Sequence, residues 1–279
     1  MTAETVLVTG ASTGIGRAAV VELVRRGFHV AATMRSTEGA ASLHEDVTGL
    51  PGSLGVIELD VTDGASIERC LEEVARTLGP LDSLVNNAGA GRVGTLEQLD
   101  LASIEATMDV NFMGVVRMTK AVLPAMRERG RGRILTVTSV GGVVGQPFND
   151  AYCAAKFAVE GLLESLAPAA ARFGVSVSVV EPGPVATSFI ENAMPGVADL
   201  FARDDDPYRP LLDGYIQNVS GVFAGAQTAE EVAVAIADAL DGPAPPFRLQ
   251  SSPGATAFVA PKLADLDGSA VQAITSGWL

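Results

Sequence analysis

Histidine and cysteine are scarce in this chain of 279 residues, which holds two of each. His29 and His44 stand far in sequence from every motif described below, and Cys70 and Cys153 form no C-x-x-C or other metal-ligand spacing. Their arrangement argues against a zinc centre, a histidine-based triad and a disulfide framework. Both cysteines read as small buried fillers in a reducing compartment. Positive charge is also short, with 19 Lys plus Arg against 33 Asp plus Glu and a net charge of −14. Nucleic-acid binding relies on basic side chains that neutralise phosphates, so no nucleic-acid partner is expected. An anionic ligand must be met by local positive groups instead. No apolar run reaches the roughly eighteen residues that a membrane span needs. The strand-like Thr5-Val6-Leu7-Val8 comes too early to leave room for a signal sequence, and the expectation is a soluble, cytoplasmic protein.

What the chain does contain is alternation. Short apolar, β-branched runs at Val6 to Val8, Val30 to Thr33, Val56 to Leu59, Leu84 and Val85, Ile134 to Val137 and Val175 to Val180 read as strands. Helix-period segments near 14–26, 64–78, 101–129 and 151–173 lie between them. Runs apolar on both faces, separated by helices, predict an α/β fold: a doubly wound parallel sheet with helices on each side. No linker, repeat or low-complexity block precedes residue 184, so a single domain is expected. From about 184 to 226 the pattern breaks, mixing prolines and acids with large side chains, and this piece reads as a partly helical insertion over the carboxyl edge of the sheet, a substrate lid or a packing flap. Thr228 and Glu231 then have capping-box spacing ahead of a helix.

Four motifs carry chemistry. Thr9-Gly10-Ala11-Ser12-Thr13-Gly14-Ile15-Gly16 follows the first strand and opens a helix, where glycines permit a tight turn and close backbone approach to a pyrophosphate. Tyr152 and Lys156 stand four residues apart in a helix-forming segment, on one face, thirteen residues after Ser139. A nearby ammonium favours the phenolate and would bring the phenol towards the range useful for general acid-base catalysis. Asn86-Asn87-Ala88-Gly89 follows the fourth strand, and Pro182-Gly183-Pro184-Val185-Ala186-Thr187 the sixth. Taken singly, each has a plainer reading: an ordinary glycine turn, a half-buried tyrosine beside a surface lysine, or loops that only close turns.

Together, in this order and over residues 5 to 187, these motifs resemble the short-chain dehydrogenases/reductases, and the Ala32-Thr33-Met34-Arg35 end of strand 2 with the long insertion resembles the branch holding hydroxysteroid and retinol dehydrogenases. The resemblance implies a Rossmann-type fold and a nicotinamide dinucleotide as cofactor. Tyr152 would be the general acid/base, Lys156 would lower its pKa and bind the nicotinamide ribose, Ser139 would orient the substrate oxygen, and Asn111 would anchor the proton relay. Gly10, Ser12, Thr13, Gly14, Ile15 and Gly16 would hold the pyrophosphate side. Asp60 and Val61 would border the adenine, with Asn87, Ala88 and Gly89 at the adenosine ribose. Pro182, Gly183, Val185 and Thr187 would flank the nicotinamide. Strand 2 ends in Met34-Arg35 where NAD enzymes of the family carry an acid, so NADP(H) is expected through Arg35, with NAD(H) as the alternative. Phe148, Phe189, Met194, Phe201 and Tyr215 would line a pocket for a hydrophobic ketone or secondary alcohol, with the Val140 to Gly145 stretch as one wall. Pro168 inside the helix predicted from Tyr152 onward predicts a kink in a common subunit interface, and the assembly expected is a homodimer or homotetramer. The reading from another class is a nucleotide sensor or scaffold on the same fold.

Overall fold

Seven strands run in the order β3-β2-β1-β4-β5-β6-β7 in a computed structural model that describes residues 4–187, 205–223 and 225–264, with backbone alone for 218–223. They are β1 Thr5–Val8, β2 His29–Met34, β3 Ser53–Glu58, β4 Ser83–Asn86, β5 Gly132–Val137, β6 Val175–Glu181 and β7 Arg248–Gln250. Every pairing is parallel. Nine α-helices lie among the described residues: α1 Gly14–Arg25, α2 Ala40–Asp46, α3 Gly64–Thr77, α4 Leu101–Met108, α5 Gly114–Arg129, α6 Asp150–Ala171, α7 Arg209–Phe223, α8 Ala229–Asp241 and α9 Pro253–Ala264.

Alternation along each strand sends side chains to two cores. Val6, Val8, Val30, Ala32, Val85, Leu135 and Val180 meet Ala19, Val20 and Leu23 of α1 and Val232 and Ile236 of α8. Leu7, Ala31, Leu84, Ile134, Val177 and Val179 face the other way, against α3, α5 and α6. With both faces covered, the strands have no polar side to show, which explains their continuous apolar runs. The two cysteines are free and buried, as fillers should be. Among the described residues no helix is long and apolar enough to cross a membrane.

β1 pairs with β2 on one side and β4 on the other, so the winding direction reverses there. In such sheets the crevice for a ligand opens beyond the carboxyl ends of the strands at the reversal. Pro184, Ala186 and Gln227 exchange backbone hydrogen bonds of 2.9 and 3.0 Å, which pins the two ends of the 184–226 segment together. Within it, α7 spans Arg209–Phe223. The capping box forms as expected, Thr228 Oγ1 accepting from Glu231 N and the Glu231 carboxylate accepting from Thr228 N. Thr228→Ala should therefore cost about 1 kcal/mol of stability, read as a lower midpoint in urea unfolding.

Two helices depart from the sequence pattern. The stretch 101–129 reads as one helix, yet it carries a five-residue π turn, Asp109–Met113, between α4 and α5. Pro168 does not end α6, which runs on to Ala171. Only the last turn follows it, so the lost backbone bond falls where the helix is already ending.

Candidate active site

The glycine loop joins β1 to α1 at the reversal point and is shaped from outside by Asn87. The Asn87 side-chain amide donates to the carbonyls of Thr9 and Gly10 at 2.8 and 3.0 Å, while Thr9 Oγ1 accepts from the N–H groups of Asn87 and Ala88, both at 2.9 Å. Gly10 has φ +66°, a conformation that favours glycine. A Cβ on Gly16 would sit 2.3 Å from the Gly10 carbonyl oxygen and 2.4 Å from Asn87 Nδ2. The start of α1 has no side-chain cap and no acid in its first turn, so its unpaired N–H groups remain for an anion. Gly14 lies against Thr187, since a Cβ there would be 3.3 Å from the Thr187 side chain. The crevice thus brings together the first loop, the Asn87–Gly89 turn and the 182–187 segment. These features fit a dinucleotide.

At the end of β2 Arg35 is exposed, and its charge helps hold the Asp60 carboxyl below its usual range, behind the larger effect of two hydrogen bonds from Thr62. A cleft of about 140 Å³ opens between the two loops, lined by Ser12, Arg17, Met34, Ser36 and Glu38 among others. Arg17 was not picked out from the sequence. The signal was there: a cation in the first turn of a helix, the end where the macrodipole disfavours it. It is held by Asp46 at 2.6 Å.

Ser139, Tyr152 and Lys156 meet at the carboxyl end of β5. Ser139 follows that strand, and its Oγ accepts from Gly141 N at 3.0 Å and is hydrogen-bonded to the Tyr152 phenol. Tyr152 and Lys156 occupy successive turns of α6, and the Lys156 ammonium lies 5.7 Å from the centre of the tyrosine ring. That ammonium donates to the Val137 carbonyl at 2.9 Å. Burial pushes Tyr152 up to about 12, partly opposed by its hydrogen bond with Ser139. Burial also draws Lys156 down to about 8, opposed by the charge of Glu160. The lysine is engaged with a backbone carbonyl, and the phenol in this arrangement is firmly protonated at neutral pH.

Asn111 is fully buried within the π turn. Its Nδ2 donates to the carbonyls of Ala90 and Thr107, both at 2.9 Å, and its Oδ1 accepts from Ala90 N at 3.2 Å. It braces the turn after β4. A Cβ on Gly89 would lie 2.9 Å from Asn111 Oδ1 and 3.9 Å from Lys156 Nζ, so asparagine and lysine flank the same glycine. A π turn at a site is common, because the extra residue redirects a side chain.

Phe148 and Tyr215 are buried against each other, with ring centres 5.2 Å apart, and seal α7 onto the body together with Leu212. Asn149 Nδ2 donates to the Tyr215 hydroxyl at 2.7 Å. Phe148 has φ 58°, unusual for a bulky residue. Val140, Val143 and Val144 pack on Ala255 and Val259 of α9. Phe189, Met194 and Phe201 lie outside the described residues.

The fold is of the dinucleotide-binding α/β class. The sequence profile of the short chain dehydrogenases matches residues 4–197. Human 17-beta-hydroxysteroid dehydrogenase type 1 is 41% identical over 271 residues, covering 95% of this chain and 82% of its own. Bovine retinol dehydrogenase 8 is 39% identical over 273 residues, covering 95% and 86%. Among solved structures, a short-chain dehydrogenase from Streptomyces avermitilis superposes with a TM-score of 0.81 at 34% identity, over 99% of this chain and 96% of that one. An alcohol dehydrogenase from Thermococcus sibiricus, complexed with 5-hydroxy-NADP, does so with 0.71 at 25%, over 88% and 94%. The chain belongs to the short-chain dehydrogenase/reductase family.

Proposed function

We propose that this protein is an NADP(H)-dependent oxidoreductase that interconverts a hydrophobic ketone and its secondary alcohol. The observation that carries the reading is the hydrogen-bonded Ser139–Tyr152 pair beside Lys156, standing at the mouth of a crevice shaped for a dinucleotide. When bound, the nicotinamide supplies or accepts the hydride. Tyr152 holds the proton for the carbonyl oxygen, and its protonated state at neutral pH suits the reductive direction. Ser139 offers its hydroxyl to the oxygen where charge develops. Lys156, anchored on Val137, places a cation beside the phenol, and Asn111 keeps the neighbouring turn in place. The 184–226 segment, closed at its base by Gln227, acts as the lid, and the chain works as a cytoplasmic homo-oligomer.

Arg35 supports the phosphate-bearing cofactor, joined by Ser12 and Arg17 around the cleft. The hydroxysteroid and retinol names of the relatives support a large apolar substrate. Following NADPH absorbance against a panel of hydrophobic ketones tests the activity. Tight NADPH binding with no turnover across the panel would favour a sensor instead. Arg35→Asp should cut the preference for NADPH over NADH about tenfold or more, since a hydrogen bond to a charged group is worth about 1.5–3 kcal/mol. Unchanged discrimination would shift the assignment to Arg17.

A further inference from the structure

Behind Lys156 lies a buried charged cluster with no part in the reading so far. Glu160 sits one turn beyond Lys156 on α6, and both are about 5% exposed or less. Its Oε1 accepts from Thr138 Oγ1 at 2.6 Å. Lys156 bonds the carbonyl of Val137, so two successive turns of the helix grip two successive residues of the chain leaving β5. The next residue is Ser139. On its other side, Glu160 shares the Nε of Arg248, from β7, with fully buried Glu181 of β6, each contact 3.3 Å. Neither reaches hydrogen-bond alignment, and the guanidinium is also pulled outward by Glu164 at 2.9 Å. Gln250 donates to the other oxygen of Glu181 at 2.7 Å. Two buried carboxylates therefore divide one N–H, and the Lys156 ammonium is the other buried cation on the same helix as Glu160. Burying a charge is costly unless it is paired, so the cluster calls for an account.

We propose that Glu160 is a positioning residue of the site. Through Thr138 it fixes the segment that carries Ser139, and through its charge it keeps Lys156 protonated, with Arg248 and Glu181 dividing how much of that charge Lys156 feels. The proposal rests on the reading of Lys156 given above. The charged groups around Glu160 are Lys156, which feels its charge from one turn back on the same helix, Glu181 on β6 and Arg248 on β7, with Glu164 on the far side of Arg248. The Val140–Gly142 turn beside it brings no charge, Asp109 of the π turn is paired with Arg117, and Glu105 of α4 is exposed. Burial, with repulsion from Glu181, raises Glu160 to about 7, while Glu160 opposes the fall of Lys156 to about 8. Removing a negative neighbour disfavours the ammonium, so the lysine midpoint must move down.

The chain has three lysines, Lys120, Lys156 and Lys262, of which Lys120 and Lys262 are exposed. Labelling lysine Cε with ¹³C in the full chain gives signals that K120R and K262R assign, and a pH titration reads Lys156 without any turnover. Glu160→Gln keeps an oxygen for Thr138 and removes the charge. It should lower the Lys156 midpoint by about one pH unit, with the alkaline limb of the kcat profile following it. A folded E160Q whose Lys156 signal does not move overturns the proposal. Thr138→Val provides a second decision if E160Q does not fold. It keeps the shape and the carboxylate, and should lower kcat about tenfold while the cofactor KM stays within about twofold. An unchanged kcat in T138V overturns the positioning role. A parent chain silent towards every ketone would instead refute the reaction, and the lysine titration would still decide the charge coupling.

Discussion

Tyr152→Phe is expected to lower kcat for ketone reduction by about 10²–10⁴-fold while leaving the KM for the cofactor nearly unchanged, the range lost when a positioned general acid is removed. Phenylalanine keeps the ring and so the packing along α6. It deletes only the hydroxyl that is bonded to Ser139. That hydroxyl carries its proton at working pH, because burial pushes it up to about 12. Steady-state kinetics with NADPH and the best ketone of the panel, beside urea unfolding of both chains, separate a chemical loss from a structural one. Turnover close to that of the parent would remove the phenol from the mechanism.

Gly16→Ala should weaken NADPH binding by about 5–150-fold, and it does so without touching any group proposed to contact the substrate. A Cβ there would lie 2.3 Å from a backbone oxygen, which cannot swing aside as a side chain can. Relief requires the start of α1 or the Gly10 carbonyl to shift, and overpacking of this kind costs about 1–3 kcal/mol, the same range as the affinity change quoted. The Asn87 amide is caught in the same movement, since it holds the Thr9 and Gly10 carbonyls. Fluorescence titration of NADPH checks the result. An unaltered dissociation constant would mean that the helix can retreat without disturbing the loop.

The sheet was readable from the sequence because its strands are short, rich in β-branched residues and apolar on both faces. Val6 to Val8 and Ile134 to Val137 fall within strands of nearly the same limits. Helix α2 escaped notice for the opposite reason, being seven residues long with Leu43 as its one buried side chain. The π turn was hidden because one additional residue barely disturbs a period of 3.6 over a long helix. At the site, the motif positions meet as their order suggests, but the state of the phenol and lysine does not follow from spacing. It depends on burial and on which carbonyl the ammonium reaches, and Val137 is nineteen positions away. The Glu160 cluster is harder still to foresee, since Arg248 stands 84 residues from Glu164. Phe148 and Tyr215 show the limit of composition: two aromatics in the expected places close a seam against each other.

The π turn has a consequence for how this region tolerates change in length. A helix advances about 100° per residue, so the one surplus residue in Asp109–Met113 sets the angular frame of everything after it on α5. Met118, Val122 and Met126 point into the core only in that frame. Deleting a single residue from the turn would heal the helix into a more regular one and, in the same stroke, rotate either Asn111 off Ala90 or the whole α5 stripe out of the interior. Local regularity and global fit are opposed here, and the chain keeps the irregular solution.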